Sequence, residues 1–355
     1  MIPISSPQFD DAELTLIKEV LASGIVAQGP KVAQLEQEFA KLAGSQFAIA
    51  TANGTTALHL ALLAHGIGTG DEVITSPFTF IASANSILYT GARPVFVDIR
   101  ADTYNIDPDL IEAAITPRTK AIMPIHLFGL MADIGAIMDI ARRHNLIVIE
   151  DAAQAHGAMF NGQYAGSFGT GCFSLYATKN MTSGEGGMIT TNDPQIAETL
   201  KLLRAHGSKV RYQHDILGYN FRLTDLHAAV GLAQIRKLCD FNERRRINAE
   251  FLSEHLTRVI TPTVPDKFHH VWHQYSVRLV DGDRDAALDK LKAAGVGSGI
   301  FYPIPIYRQK VYVDRGYTDH LPVTEMVTAQ IFSLPVHPAL SSSDLETIIA
   351  AVESI

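Results

Sequence analysis

One lysine stands apart from the other basic residues of this 355-residue chain. Lys179 lies in Cys172-Phe173-Ser174-Leu175-Tyr176-Ala177-Thr178-Lys179-Asn180-Met181-Thr182-Ser183-Gly184-Glu185-Gly186-Gly187, a stretch of small, hydroxyl and apolar residues with no other cation. Burial in such surroundings disfavours the ammonium form and lowers the pKa, as a Schiff-base amine requires. The glycines that follow give a tight turn before the strand-like Met188-Ile189-Thr190-Thr191. A lone lysine is ordinarily a solvated surface group; this neighbourhood argues against that.

Two other segments carry compatible chemistry. In Ile147-Val148-Ile149-Glu150-Asp151-Ala152-Ala153-Gln154, four apolar residues run into two carboxylates and then small residues. Asp151 would point from a strand end into a cleft, where an ionised carboxylate needs a cationic partner; the alternative is a solvent-facing cap. Ala52-Asn53-Gly54-Thr55-Thr56-Ala57-Leu58 places small and hydroxyl residues before a helix. Free N–H groups and the helix dipole make such a start an anion site, with phosphate the usual guest, although these residue types also serve as plain caps. His269, His270 and His273 form the one dense histidine cluster. An i, i+4 pair could hold zinc on a helix, but this segment leads into a strand and lacks a completing Cys, Asp or Glu, so no metal is expected. Gly66-Ile67-Gly68-Thr69-Gly70 lacks the spacing of a Walker loop or dinucleotide fingerprint and reads as a turn.

The elements that must position these groups follow from the pattern. Phe47–Ala50, Val73–Thr75, Pro94–Asp98, Ala121–Ile125 and Leu146–Ile149 are short apolar runs that read as strands. Helical patterns separate them: Thr55–His65, Ile81–Tyr89, Asp107–Ile115 and Ile134–His144. Such alternation predicts an α/β fold, a mostly parallel sheet with helices on both faces. Sites in such sheets lie outside the carboxyl ends of the strands. That edge would collect Asn53–Thr56, Thr75–Phe78 and Glu150–Asp151. The pattern changes near residue 245, after Arg244-Arg245-Arg246, which reads as a solvated helix face within Thr224–His255. The division expected is a large domain over residues 1–245 and a smaller α+β domain over 246–355. The latter holds the strand Tyr275–Leu279, helices Asp283–Ala294 and Ser342–Ser354, and another starting near Pro322.

Composition bounds the rest. With 47% hydrophobic and 19% charged residues, disorder is excluded as the main state. A net charge of −8 argues against nucleic acid or an anionic membrane as partner. Two cysteines, Cys172 and Cys239, cannot build a disulfide framework and point to a reducing cytoplasm. The opening residues lack a secretory pattern, and no apolar run reaches the roughly 18 residues of a membrane span.

Taken together, these segments resemble the DegT–StrS family, the aminotransferases that use pyridoxal 5′-phosphate (PLP) and act on nucleotide sugars, which have the fold-type I architecture. The resemblance runs from Ser23-Gly24-Ile25-Val26-Ala27-Gln28-Gly29-Pro30 through Thr51–Thr56, Glu150–Gly157, Phe173–Gly187 and Gly218-Tyr219-Asn220-Phe221-Arg222-Leu223-Thr224-Asp225 to Ser333-Leu334-Pro335-Val336-His337-Pro338. It implies that Lys179 carries PLP as a Schiff base and shuttles protons, and that Asp151 partners the pyridine nitrogen. It places Gln154 near the phenolic oxygen and one ring face and Phe80 on the other face. Gly54, Thr55, Thr56 and Ser174 match phosphate-binding positions, and Asn220 matches an asparagine that reaches the phosphate of a neighbouring subunit, hence a homodimer with shared sites. Lys31 and Arg222 are candidates for the substrate's phosphates. Tyr302 and Tyr307 lie in Ile300-Phe301-Tyr302-Pro303-Ile304-Pro305-Ile306-Tyr307-Arg308-Gln309, where Phe301 and Tyr307 replace family histidine–tyrosine and histidine positions. The implied reaction moves an amino group from an amino acid, L-glutamate being the expected donor, to a nucleotide-diphosphate-linked keto-sugar, with the cofactor cycling through pyridoxamine 5′-phosphate. Two alternatives are a PLP- or pyridoxamine-phosphate-dependent sugar dehydratase, whose family members lack the lysine, and a non-catalytic regulatory protein retaining the fold.

Overall fold

The computed structural model describes residues 1–210 and 212–355. The first part of the chain runs α1 (Asp11–Ser23), α2 (Pro30–Leu42), β1 (Phe47–Thr51), α3 (Gly54–Ala64), β2 (Glu72–Thr75), α4 (Ala82–Tyr89), β3 (Arg93–Phe96), β4 (Thr119–Met123), α5 (Ile134–His144) and β5 (Ile147–Asp151). It continues with β6 (Met159–Phe160), β7 (Gln163–Tyr164), β8 (Thr170–Ser174), β9 (Gly187–Thr191), α6 (Pro194–Arg204), β10 (Ser208–Val210), β11 (Gln213–His214) and the long helix α7 (Asp225–His255). The last part holds β12 (Phe268–His269), β13 (Tyr275–Arg278), α8 (Arg284–Ala293), α9 (Lys310–Val313), α10 (Pro322–Gln330), β14 (Ile331–Leu334) and α11 (Ser342–Glu353).

Seven strands form the central sheet in the order β1-β9-β8-β5-β4-β2-β3. β9 is antiparallel to both its neighbours, and the other pairings are parallel. The pleat sorts the strand residues onto two faces. Ala50, Ile74, Ile122, Val148, Phe173 and Met188 pack on one side with α2, α5 and the first half of α7. Ile49, Val73, Ala121, Met123, Ile149 and Ile189 pack on the other with α3 and α6. Both faces being covered explains why the central strands read as continuous apolar runs.

Helices α1 and α2 were not anticipated by the pattern, though their starts carry a signal. Asp10 and Glu13 form a reciprocal capping box, and Pro30 occupies the first turn of α2. Gly29 provides no side-chain cap for α2. The buried Asp225, at the start of α7, supplies it instead, accepting from the Gly29, Lys31 and Val32 amides at 2.8, 3.1 and 2.9 Å. Hydrogen bonds to a charged acceptor contribute roughly 1.5–3 kcal/mol each, so Asp225 pins α2 to α7.

Two expectations need correction. Residues 107–115 form two short 3-10 turns, Pro108–Leu110 and Glu112–Ala114, instead of one helix. Ile115 is already extended (φ −74°, ψ 130°), and Pro117 biases the residue before it the same way. The arginine run is not wholly solvated. Arg244 and Arg246 pair with Asp240, Glu243 and Glu250, but Arg245 is buried and donates to the Trp272 and His273 carbonyls. The expected boundary at 245/246 falls inside α7, which is unbroken there. Ala249 and Leu252 of its second half join a separate core with Tyr275, Val277, Phe332, Leu334 and Ile348. Ile2 also bridges to Val296, so the N-terminus lies against this C-terminal unit.

Candidate active site

The carboxyl ends of β1, β5 and β8 open onto one cavity of about 820 Å³. Gly54, Thr55, Phe80, Asp151, Gln154, Ser174, Lys179 and Tyr302 line it. The sheet order explains the convergence: β5 and β8 are neighbours, and β1 is separated from β8 only by β9.

The two adjacent carboxylates have different surroundings. Glu150 is fully buried and accepts from the Gly166, Phe168 and Gly169 amides and from His126 Nε2 at 2.9 Å. Since His126 Nδ1 accepts from the Ala132 amide, the proton lies on Nε2 and is donated to Glu150. Glu150 therefore fastens a loop. Asp151 faces the cavity and receives the Ser83 hydroxyl at 2.7 Å and the Ala153 amide at 3.2 Å. Ser83 also bonds Thr79. Burial raises the Asp151 carboxyl above its usual range, against the opposing influence of these donors and the charge of Lys179. A cation placed against it would restore the carboxylate.

Lys179 sits in the loop between β8 and β9. The Leu175 carbonyl accepts from the Ser183 amide and the Thr182 hydroxyl, and Gly184, at φ +81°, turns the chain. Burial pushes the Lys179 amine down to about 8, with Asp151 opposing. No carboxylate lies within ion-pair distance of it among the described residues, so the amine is held by the cavity alone.

At the start of α3, Asn53 accepts from the Thr56 amide at 2.9 Å, and Thr56 Oγ1 accepts from the Asn53 amide at 3.1 Å. This box occupies the Thr56 side chain, and Thr56 does not line the cavity. Gly54 does, and a Cβ there would stand 2.9 Å from the Ser174 Cβ. The first-turn amides, the Ser174 hydroxyl and this side-chain-free approach make a cradle suited to a phosphate. Phe80 precedes α4, and its 57% exposure removes the alternative of a core aromatic. Gln154 Oε1 accepts from the Phe128 amide at 2.7 Å, which directs its Nε2 to the Tyr302 hydroxyl at 3.1 Å.

Within one chain the other candidates lie elsewhere. Lys31 pairs with Glu19 at the start of α2. Tyr307 is buried against Phe96, and its hydroxyl donates to Glu325 at 2.8 Å. Asn220 makes a β-bridge with Ala205 at the surface, and Arg222 follows it outside the cavity. The histidine cluster diverges: His269 lies on β12, His270 stacks on Trp272 at 3.9 Å, and His273 lines the cavity. Ser83 and His273 are the residues sequence reasoning missed. Ser83 carried no local signal; His273 carried one, but its spacing was weighed only for a metal.

Comparison with known proteins supports this architecture. The profile of the DegT/DnrJ/EryC1/StrS aminotransferase family matches residues 7–353. A "Pleiotropic regulatory protein" of Geobacillus stearothermophilus is 42% identical over 96% of this chain and 93% of its own. A UDP-N-acetyl-3-dehydro-alpha-D-glucosamine 3-aminotransferase of Acidithiobacillus ferrooxidans is 44% identical, with the same coverage of both chains. The crystal structure of DesV from S. venezuelae, in complex with a ketimine intermediate, superposes with a TM-score of 0.93 at 38% identity, covering 96% of this chain and 93% of that one. The PMP and PLP forms of Spr1654 from Streptococcus pneumoniae, named a "Putative sugar aminotransferase", superpose with a TM-score of 0.95 at 28% identity, each covering 99% of this chain. The chain belongs to the DegT/DnrJ/EryC1/StrS aminotransferase family.

Proposed function

We propose that this protein is a PLP-dependent aminotransferase that transfers an amino group from L-glutamate to a keto-sugar carried on a nucleoside diphosphate. The observation that carries the reading is the meeting, in one cavity, of a lysine amine pushed down to about 8 and a buried carboxyl pushed up, beside a phosphate-sized cradle. These groups fit the cofactor. Gly54, Thr55 and Ser174 would hold its phosphate, Asp151 would keep its ring nitrogen protonated, Phe80 and Gln154 would flank its ring, and Lys179 would anchor it. When bound, the cofactor supplies an electron sink for the charge left by proton removal at carbon. Lys179 would take and return that proton, a task suited to an amine pushed down to about 8. Ser83 holds the Asp151 carboxylate in place. The UDP-sugar aminotransferase relative supports a nucleotide-linked acceptor. Two unpaired cysteines, Cys172 and Cys239, suit a cytoplasmic protein.

The test is spectroscopic. Purified protein should be yellow, bleach on addition of L-glutamate, and regain its colour with one member of a panel of nucleotide-linked keto-sugars. Failure of every keto-sugar to restore the colour counts against the acceptor. The name of the Geobacillus relative favours a second reading, a regulatory protein retaining the fold. A protein that binds the cofactor but never bleaches with any amino donor would support it. A dehydratase is opposed by Lys179.

We also propose a homodimer with shared sites, in which Asn220 reaches the partner's cofactor phosphate. Asn220 is exposed on the surface of one chain, outside its own cavity, and this supports a role across an interface. Mixing a Lys179→Ala chain with an Asn220→Ala chain should recover up to about a quarter of wild-type activity, from hybrid dimers with one intact site. No recovery, in a mixture shown to exchange subunits, counts against shared sites.

A further inference from the structure

The side-chain amide of Gln154 is held at both ends. Its Oε1 accepts from the Phe128 amide at 2.7 Å, and its Nε2 lies 3.1 Å from the Tyr302 hydroxyl oxygen. A backbone N–H can only donate, so the amide cannot be reversed, and Nε2 is the donor toward Tyr302. The Phe128 N–H is itself fixed in direction. Phe128 lies in the left-handed region at φ 57°, a costly conformation for a residue with a Cβ. Its surroundings hold it there. The Leu127 amide donates to Asn105 Oδ1 at 3.1 Å, the Phe128 carbonyl accepts from the Gln274 amide at 3.2 Å, and the Gly129 carbonyl accepts from the Val271 amide at 3.0 Å. A Cβ on Gly129 would stand 2.9 Å from the His273 backbone nitrogen, so the two segments meet backbone to backbone.

Two polar hydrogens are left over. Gln154 Nε2 carries two and spends one on Tyr302. The Tyr302 oxygen accepts that bond, so its own O–H cannot point back along it. Among the described residues no acceptor takes either remaining hydrogen. Both side chains line the cavity that holds Lys179 and Asp151, and their donor atoms are 3.1 Å apart. Burial, with the charge of Asp151, holds the Tyr302 phenol well above its ordinary value despite the Gln154 bond, so it remains an O–H donor at neutral pH. Two such donors side by side suit one negatively charged oxygen.

We propose that the Tyr302 O–H and a Gln154 Nε2–H form a two-donor clamp on the phenolic oxygen of the cofactor ring, and that Phe128, through its left-handed amide, fixes the orientation of the clamp. This rests on the reading of the cavity as a PLP site. In that reading the cofactor's phosphate has the Gly54–Ser174 cradle, its ring nitrogen has Asp151 and its carbonyl carbon has Lys179; the phenolic oxygen is the polar group left without a partner. The clamp has a definite effect on the Schiff base with Lys179. While the imine nitrogen is protonated, its positive charge neutralises the adjacent oxygen. Once that proton leaves, the oxygen bears its charge alone and depends on the donors. The clamp therefore favours the unprotonated imine and lowers its pKa.

The test titrates the full-length holoenzyme with pH and follows the imine proton by the visible spectrum. Tyr302→Phe should raise the midpoint by about one unit, a tenfold change in the proton equilibrium and the scale of one hydrogen bond to a charged group. An unchanged midpoint in a Tyr302→Phe protein that binds PLP and melts like the wild type would overturn the proposal, whatever happens to the substrate KM. If Tyr302→Phe does not fold or take up PLP, 3-fluorotyrosine placed at position 302 carries the test. Its phenol is more acidic and a stronger donor, so a midpoint below that of the wild type supports the clamp and an unchanged one refutes it. A wild-type protein that takes up no PLP, or that fixes it on another lysine under borohydride, would instead overturn the reading of the site, a separate outcome.

Discussion

A Lys179→Ala chain is expected to lose turnover by about 10³-fold or more, because anchor and proton carrier are removed together. A positioned general acid–base group alone contributes roughly 10²–10⁴-fold. Borohydride reduction of the wild type should fix cofactor to the peptide containing Lys179, and the variant should give no such adduct while still binding PLP noncovalently at the Gly54–Ser174 cradle. A small primary amine added to the variant should restore part of the proton transfer. Label on another lysine of the wild type would refute the assignment. The fold should survive, since the amine makes no ion pair and Lys179 contributes only a turn through its amide to the Tyr176 carbonyl.

Asp151→Asn should follow close behind, with a fall in kcat of roughly 10²–10³-fold, the usual cost of removing one preorganised electrostatic group. The side chain keeps its shape and can still accept from Ser83, but the negative charge is gone. An amide cannot hold a proton on the ring nitrogen, so charge developing on the reacting carbon loses its sink. Because that charge is greatest in the transition state, kcat should fall far more than the substrate KM rises. A fall confined to KM would show that Asp151 only binds. Exchanging a buried ionisable carboxyl for a neutral amide should also leave stability near neutral pH equal to or above that of the wild type. Burial already disfavours the charge, raising the Asp151 carboxyl despite Lys179.

The sequence was most informative where chemistry and backbone geometry coincide. Ile147–Asp151 ends in a carboxylate because a buried parallel strand must be apolar until it reaches its open edge. Asn53 and Thr56 announce a helix start because a capping box is local. The tight turn after Lys179 was legible from its glycines. What could not be read is what distant segments do to one another. Gly184 indicates a turn, but nothing local says that β9 returns antiparallel between β1 and β8. Glu150 and Asp151 look alike in sequence; only the placement of loop 166–169 and of α4 gives one to a loop and the other to the cavity. The Ser83–Asp151 and Gln154–Tyr302 bonds join residues 68 and 148 positions apart. The place of Lys31 was illegible for the same reason: its pairing with Glu19 depends on how α1 and α2 pack on α7.

Helix α7 carries a consequence for how the molecule holds together. At 1.5 Å per residue its 31 residues extend about 46 Å. Its first half gives Ala228 and Leu232 to the core of the central sheet, and its second gives Ala249 and Leu252 to the core of the C-terminal unit. Between them, Asn242 bonds Asn180 of the lysine loop, and Arg245 fastens the segment around His273. One rod thus serves as a beam in two cores, and the N-terminal strand segment at Ile2 laces the far unit back to the start of the chain. Severing the rod at residue 245 would bare an apolar stripe on each fragment and strip the lysine loop of its backing. The two units are therefore rooms under a single roof beam, and thermal unfolding is expected to show one transition shared by both.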